Sequence, residues 1–224
     1  APVPGYRAWL NSVELSGEGI VIAICDTGVS RNATNNSNGH LDLRGRQVSF
    51  IDYSGGFSTR DTRGHGTHVA GIAVGNAATE KTEGTPPNTF LRGQGMAPHA
   101  NYLTQNALEG PWPPADWGAL TRDAASNQAV VMNNSWWDGG PAGSGYTESS
   151  RRFDQLDRDP SPDTGQLEQL VIVFSAGNAG PDPRTPERSA RDQRWPAVDR
   201  FKYSVCTAGR WNGARFWREH LSNG

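Results

Sequence analysis

Cysteine is nearly absent from this sequence: 224 residues carry two, Cys25 and Cys206. Two thiols cannot build a disulfide framework, and both sit in apolar, strand-like runs where a free cysteine behaves as a small hydrophobe. An excess of charge of either sign is also missing, since the formal net charge is -2. There is thus no basic surplus to neutralise phosphates, and no nucleic-acid partner is expected. No apolar run approaches the roughly 20 residues needed to span a membrane, and no basic-then-apolar leader opens the chain; a membrane partner is not expected either. The opening Ala1-Pro2-Val3-Pro4 has the look of a processed or trimmed N-terminus.

Glycine (27) and tryptophan (8) are plentiful, by contrast. So many glycines imply many tight loops and close backbone approaches. The length suits one sizeable domain. A mean hydropathy of -0.65 is polar for such a domain. Either the loops are long, or part of the apolar core is contributed by residues outside this sequence.

Hydrophobic patterning gives an alternation of strands and helices. Gly19–Cys25 (GIVIAIC) is apolar on both faces, as a buried parallel strand should be. Further strands are expected at Gln47–Tyr53, Ala100–Ala107, Val130–Asn134, Leu170–Ser175 and Tyr203–Ala208, with helices at Arg7–Val13, His65–Asn76, Asp116–Ser126 and Thr147–Asp157. Ala77–Gln94, with Pro86-Pro87, is expected to be an inserted surface loop. In the last helix Arg151 with Asp154 and Asp154 with Arg158 have the spacing of surface ion pairs. Strands separated by helices predict βαβ crossovers, hence an α/β fold with a largely parallel twisted sheet flanked by helices on both faces.

In such sheets the working groups gather at the carboxyl ends of the strands. Asp26 ends the first strand in Asp26-Thr27-Gly28; it is either a turn residue or a buried carboxylate that needs a partner. His65 opens a helix between Gly64 and Gly66, which let backbone and partners approach its ring, and imidazole is the natural general base near neutral pH. His68 follows one turn later, but there is no HExxH pattern and no third ligand, so a zinc site is not expected and His68 is read as a packed neighbour. Asn178, in a Gly-Asn-Ala-Gly loop after an apolar strand, is either a turn residue or an amide that donates to a developing oxyanion.

Together, Asp26-Thr27-Gly28, Gly64-His65-Gly66-Thr67-His68-Val69-Ala70-Gly71, Gly95-Met96-Ala97-Pro98, Asn134-Ser135-Trp136 and Ser175-Ala176-Gly177-Asn178 resemble the motifs of the subtilisin-like serine proteases, in family order. The likeness is strongest to the larger alkaline members and spans Gly19 to about Gly209. It implies that residues 1–224 are the N-terminal and central part of one subtilisin-like catalytic domain, incomplete at the C-terminus. It further implies a secreted endopeptidase working by acyl transfer, with His65 as base, Asp26 as its orienting partner and Asn178 in the oxyanion hole. Asn134, Ser135 and Trp136 would pair with the backbone of a polypeptide substrate. Asp42, in His40-Leu41-Asp42-Leu43, resembles a calcium ligand of many members. Structural calcium is the one cofactor implied, and no organic cofactor is.

Two departures from the pattern matter. Trp137 stands where many relatives have glycine beside the specificity pocket. The nucleophile motif, Gly-Thr-Ser followed by Met-Ala, is absent from the 224 residues, and Ser222 lacks its context. The chain is therefore expected to be inactive alone. It is a fragment of a full protease, one chain of a nicked enzyme whose C-terminal piece brings the serine, or a catalytically inactive, protease-like chain that binds peptides. A rival class, the aspartic proteases, also uses Asp-Thr-Gly but needs two such carboxylates; a second Asp-Thr/Ser-Gly is missing and the α/β alternation disfavours it.

Overall fold

A computed structural model describes residues 5–30, 39–56, 60–85, 88–110, 116–136, 146–162 and 169–175. The expected strand at Tyr203–Ala208, Cys206, Trp137 and Asn178 lie outside the described residues. In chain order the elements are α1 (Tyr6–Ser12), β1 (Val21–Asp26), a 3-10 turn (Leu41–Leu43), β2 (Gln47–Asp52), α2 (His65–Val74), β3 (Thr82–Thr85), β4 (Asn88–Leu91), β5 (Asn101–Asn106), α3 (Trp117–Ser126), β6 (Ala129–Asn134), α4 (Glu148–Arg158) and β7 (Val171–Phe174).

Five strands form one sheet in the order β2-β5-β1-β6-β7, and every neighbouring pair is parallel. β1 lies at its centre, with Val21 beside Asn101 on one side and beside Ala129 on the other. This position explains the continuous apolar run, because the strand is covered on both faces. Val21, Ala23 and Cys25 pack with Leu120 and Ala124 of α3 and Phe153 and Leu156 of α4. Ile24 faces the other way, onto Ala70 and Val74 of α2 and onto Val29 and Leu43. Helices therefore cover both faces, as the patterning predicts. From β1 the chain builds outward to β2, returns through α2 to β5, then crosses by α3 to β6 on the far side. The order reverses around β1, so its carboxyl end, at Asp26, borders the crevice where such folds place their sites.

Two expectations need correction. Ala77–Gln94 is not only loop: β3 and β4 form a separate antiparallel hairpin, pairing Thr82 with Leu91 and Glu83 with Phe90. An ion pair from Arg92 to Glu83 at 3.3 Å braces it. Its strands, Thr-Glu-Gly-Thr and Asn-Thr-Phe-Leu, lack the in-out alternation that betrays a half-buried strand. In α4, Arg151 bonds Glu148 through Nε at 2.8 Å, whereas Asp154 accepts from the Tyr146 hydroxyl at 2.6 Å. The expected Arg151–Asp154 and Asp154–Arg158 pairs are not formed.

Candidate active site

Asp26 is fully buried, with 0% exposure. Its Oδ1 accepts from the Thr27 amide at 2.7 Å and lies 2.7 Å from His65 Nδ1. An ionised carboxylate can only accept, so Nδ1 carries the hydrogen and Nε2 holds the lone pair. Among the described residues Nε2 has no partner, and half of the His65 side chain is open to solvent. The bond to Asp26 raises the His65 pKa above its ordinary value; partial burial opposes this, and the Asp26 and Asp61 charges add to it. The result is an imidazole fixed in one tautomer, with its basic nitrogen turned to the open side and its protonated form supported from behind. This is what a general base that must later return its proton requires.

The close approach of α2 to β1 depends on glycine. Gly64, the residue that precedes α2, has φ of 77°, which the absence of a Cβ permits. At Gly66 a Cβ would collide with the Gly28 carbonyl oxygen and lie 3.1 Å from Asp26 Cβ. Only glycine lets the helix seat His65 against the buried aspartate. His68 differs from its expected packed role: it is exposed, and partial burial together with the nearby His65 lowers its pKa.

Sequence reasoning missed the residue that organises this junction. Asp61, 4% exposed, accepts through Oδ1 from the Thr27 hydroxyl at 2.9 Å, the Arg63 amide at 3.2 Å and the Gly64 amide at 2.7 Å. Through Oδ2 it accepts from the Thr67 amide at 2.8 Å and the Thr67 hydroxyl at 2.5 Å. Thr27 Oγ1 in turn accepts from the Gly66 amide at 2.9 Å. Asp61 thus caps a helix whose preceding glycine has no side chain to do so. The available signal was an aspartate three residues ahead of a glycine at a helix start.

At the end of β6 the three expected substrate-pairing residues differ in placement. Ser135 is partly exposed and accepts from Asn133 Nδ2 at 3.0 Å. The Asn134 side chain is fully buried, and its carbonyl is taken by the Ser175 amide at 3.0 Å. Trp136 is a core residue at 6% exposure. Its ring stacks on Trp117 at 5.4 Å and meets Phe174 edge-on at 5.1 Å, and its indole donates to the Cys25 carbonyl at 2.9 Å. Any pairing with a substrate strand at Asn134 or Trp136 would therefore be made by backbone, not by these side chains. Cys25 itself is free. Burial, and then the Asp26 charge, push its thiol well above the ordinary range, so it is no nucleophile.

Asp42 is buried beside the start of the hairpin segment, where a calcium ion would need six to eight oxygen ligands. Its Oδ1 accepts from the Ala78 amide at 2.8 Å, and Oδ2 lies 3.7 Å from His40 Nδ1. Its carbonyl accepts from Arg46 Nη2 at 2.5 Å and from the Asn76 amide at 3.1 Å. The neighbouring Asn76 carbonyl and Gln94 Oε1 are held by the Arg7 guanidinium, at 2.5 and 3.0 Å. One side-chain oxygen of this corner, Asn76 Oδ1, is buried without a hydrogen-bond partner. Among the described residues no group of three His, Cys, Asp or Glu could hold a metal ion, and no helix is long and apolar enough to cross a membrane.

Comparison with known proteins agrees with this geometry. The Subtilase family model matches residues 17–201. Thermitase of Thermoactinomyces vulgaris is 32% identical over 168 residues, covering 73% of this chain and 49% of the relative. Subtilisin of Bacillus sp. (strain TA39) is 31% identical over 193 residues, covering 79% and 39%. Serine protease AprX of Bacillus subtilis (strain 168) is 27% identical over 188 residues, covering 78% and 36%. The chain thus spans between 36% and 49% of the length of these relatives. Among solved structures, the CspB protease of Clostridium perfringens shares the fold, with a TM-score of 0.51 at 22% identity over 78% of this chain and 39% of that one. With the family model covering most of its length and the buried Asp26 joined to His65, this chain belongs to the subtilase family.

Proposed function

We propose that these residues are the base-carrying part of a secreted serine endopeptidase acting on polypeptides. In this reading His65 Nε2 takes the proton of a serine hydroxyl as that oxygen attacks a peptide carbonyl, and later returns it to the leaving amine. Asp26 holds the ring and stabilises the imidazolium. The observation that carries the reading is the 2.7 Å contact between a fully buried carboxylate and a half-exposed imidazole. No Gly-Thr-Ser occurs within the 224 residues, so the nucleophile comes from outside them, and the 224 residues alone do not turn over substrate. Asn178 donates to the oxyanion, and the backbone following Asn134, at Ser135 and Trp136, pairs with the substrate chain. Asp42 and the buried, unpartnered Oδ1 of Asn76 would contribute oxygens to a structural calcium site.

Hydrolysis of an unfolded polypeptide by the intact protein tests this. Activity lost on His65→Ala supports it. Peptide binding without cleavage by the wild type would instead favour a non-cutting, protease-like binding chain.

A further inference from the structure

We propose that Asp61 is a positioning residue of the catalytic base: it locks the start of α2 to Thr27 and thereby fixes His65 against Asp26. This rests on the assignment of His65 as base.

Five donors converge on the Asp61 carboxylate, three amides and two hydroxyls. Two of them, the Gly64 and Thr67 amides, bracket His65 in sequence. A third, the Thr27 hydroxyl, belongs to the residue after Asp26 and also receives the Gly66 amide at 2.9 Å. The path from Asp26 to His65 is thereby closed by short hydrogen bonds on both sides: Asp26–Thr27–Asp61–Thr67 on one and Thr27–Gly66 on the other. The Ser30 amide, donating to Thr67 Oγ1 at 2.8 Å, and the Ser30 carbonyl, accepting from the Asp61 amide at 2.9 Å, extend the lock to the chain beyond Gly28. Charge-assisted bonds of this kind are the stronger class. The ring they hold is otherwise half exposed, with a single hydrogen bond to orient it.

The same carboxylate acts at a distance as a charge. Among the described residues Asp61 has no ion-pair partner: the neighbouring Arg63 turns to Glu109, at 4.0 Å. Its field therefore reaches His65 uncancelled by a paired cation. Among the described residues, the charged and titratable groups on the elements around His65 are Asp26 at the end of β1, Arg60, Asp61 and Arg63 in the preceding loop, Glu109 after β5 and His68 one turn along α2. Asp42 of the 3-10 turn lies at the far end of the helix, where its carbonyl receives the Asn76 amide. Both nearby carboxylates, Asp26 and Asp61, favour the imidazolium.

The test is Asp61→Asn in the intact protein, read in two ways. Titration of the His65 ring by NMR needs no turnover. It is expected to show half-protonation at a lower pH than in the wild type, because a negative charge has gone. With a peptide substrate, kcat should fall about 100-fold, the scale of loss that misplacing a reacting group by an ångström brings, while KM is unchanged and the acid limb of kcat/KM moves to lower pH. A residue that merely stabilised the fold would lower the unfolding midpoint and leave kcat of the folded enzyme where it was; that result overturns the proposal. Thr27→Ala keeps the carboxylate and cuts only the bridge, and it carries the test if Asp61→Asn does not fold: a loss of kcat at constant KM supports the proposal, and an unchanged kcat overturns it. If the wild type hydrolyses no peptide, the peptidase reading fails, while the NMR signal of the His65 Nδ1 proton bonded to Asp26 still decides the role of Asp61: its loss in Thr27→Ala supports positioning, and its retention overturns it.

Discussion

The indole of Trp136 donates to the carbonyl of Cys25, 2.9 Å away, and so ties the end of β6 to the residue before Asp26. The bond is buried beneath the open side of the site, inside an aromatic group formed with Trp117, Phe153 and Phe174. Trp136→Phe keeps most of the packing and removes the donor. It should destabilise the protein by about 1–3 kcal/mol, the cost of stranding a buried polar group. Trp136→Ala should cost about 3–5 kcal/mol. Urea unfolding of the intact protein measures both.

Gly66 allows the helix of the base to touch the loop of the aspartate. Gly66→Ala places a methyl group against the Gly28 carbonyl and Asp26 Cβ. Because the first obstacle is backbone, the helix has to move, at a cost of about 1–3 kcal/mol. His65 moves with it, so the expected loss in kcat, about 100-fold, is far larger than the loss in stability would suggest. Comparing kcat with the unfolding midpoint for the same variant checks this.

Protonation of His65 links activity and stability to pH with opposite signs. Its folded pKa lies above the ordinary value of about 6.5, chiefly through the Asp26 bond. The base works when neutral, so kcat/KM should rise with pH along a limb centred above 6.5. For stability, the raised folded value means that the contribution is fully present below the unfolded pKa and is lost as pH rises through the folded one. Unfolding curves of wild type and His65→Ala should therefore differ most below about pH 6 and converge at alkaline pH.

The corner around Asp42 should respond to calcium. Arg7 holds the Asn76 carbonyl and Gln94, but Asn76 Oδ1 is buried there without a partner. Addition of a chelator should raise the exchange of the Ala78 amide, which donates to Asp42. Arg7→Ala should destabilise by about 1 kcal/mol, less than a buried charged bond would give, because the side chain is partly exposed. Ala78 exchange indifferent to calcium and chelator would contradict calcium binding at this corner.

The parts legible in the sequence were those with a one-dimensional signature. β1 was visible because a strand buried on both faces must be apolar throughout, and Asp26 and His65 because strand end and helix start fix where chemistry can stand. The hairpin β3–β4 was hidden because pairing, not burial, holds it. The role of the Trp136 side chain was also hidden: whether a tryptophan after a strand faces a ligand or the core depends on Trp117 and Phe153, which are distant in sequence. Asp61 is not legible because its five donors come from Thr27, Arg63, Gly64 and Thr67, and only the folded chain brings Thr27 to it.

Covalent labelling of the intact protein with a fluorophosphonate tests the central claim most directly, since such reagents trap an activated serine hydroxyl and need no knowledge of the preferred substrate. The Asp26–His65 pair predicts one labelled serine. Labelling should be abolished by His65→Ala and slowed steeply by Asp26→Asn, toward the roughly 10⁴-fold loss in kcat that asparagine causes at the triad aspartate of a serine protease. A wild-type protein that takes no label, or one whose labelling is unaffected by His65→Ala, would contradict the assignment of His65 as the base.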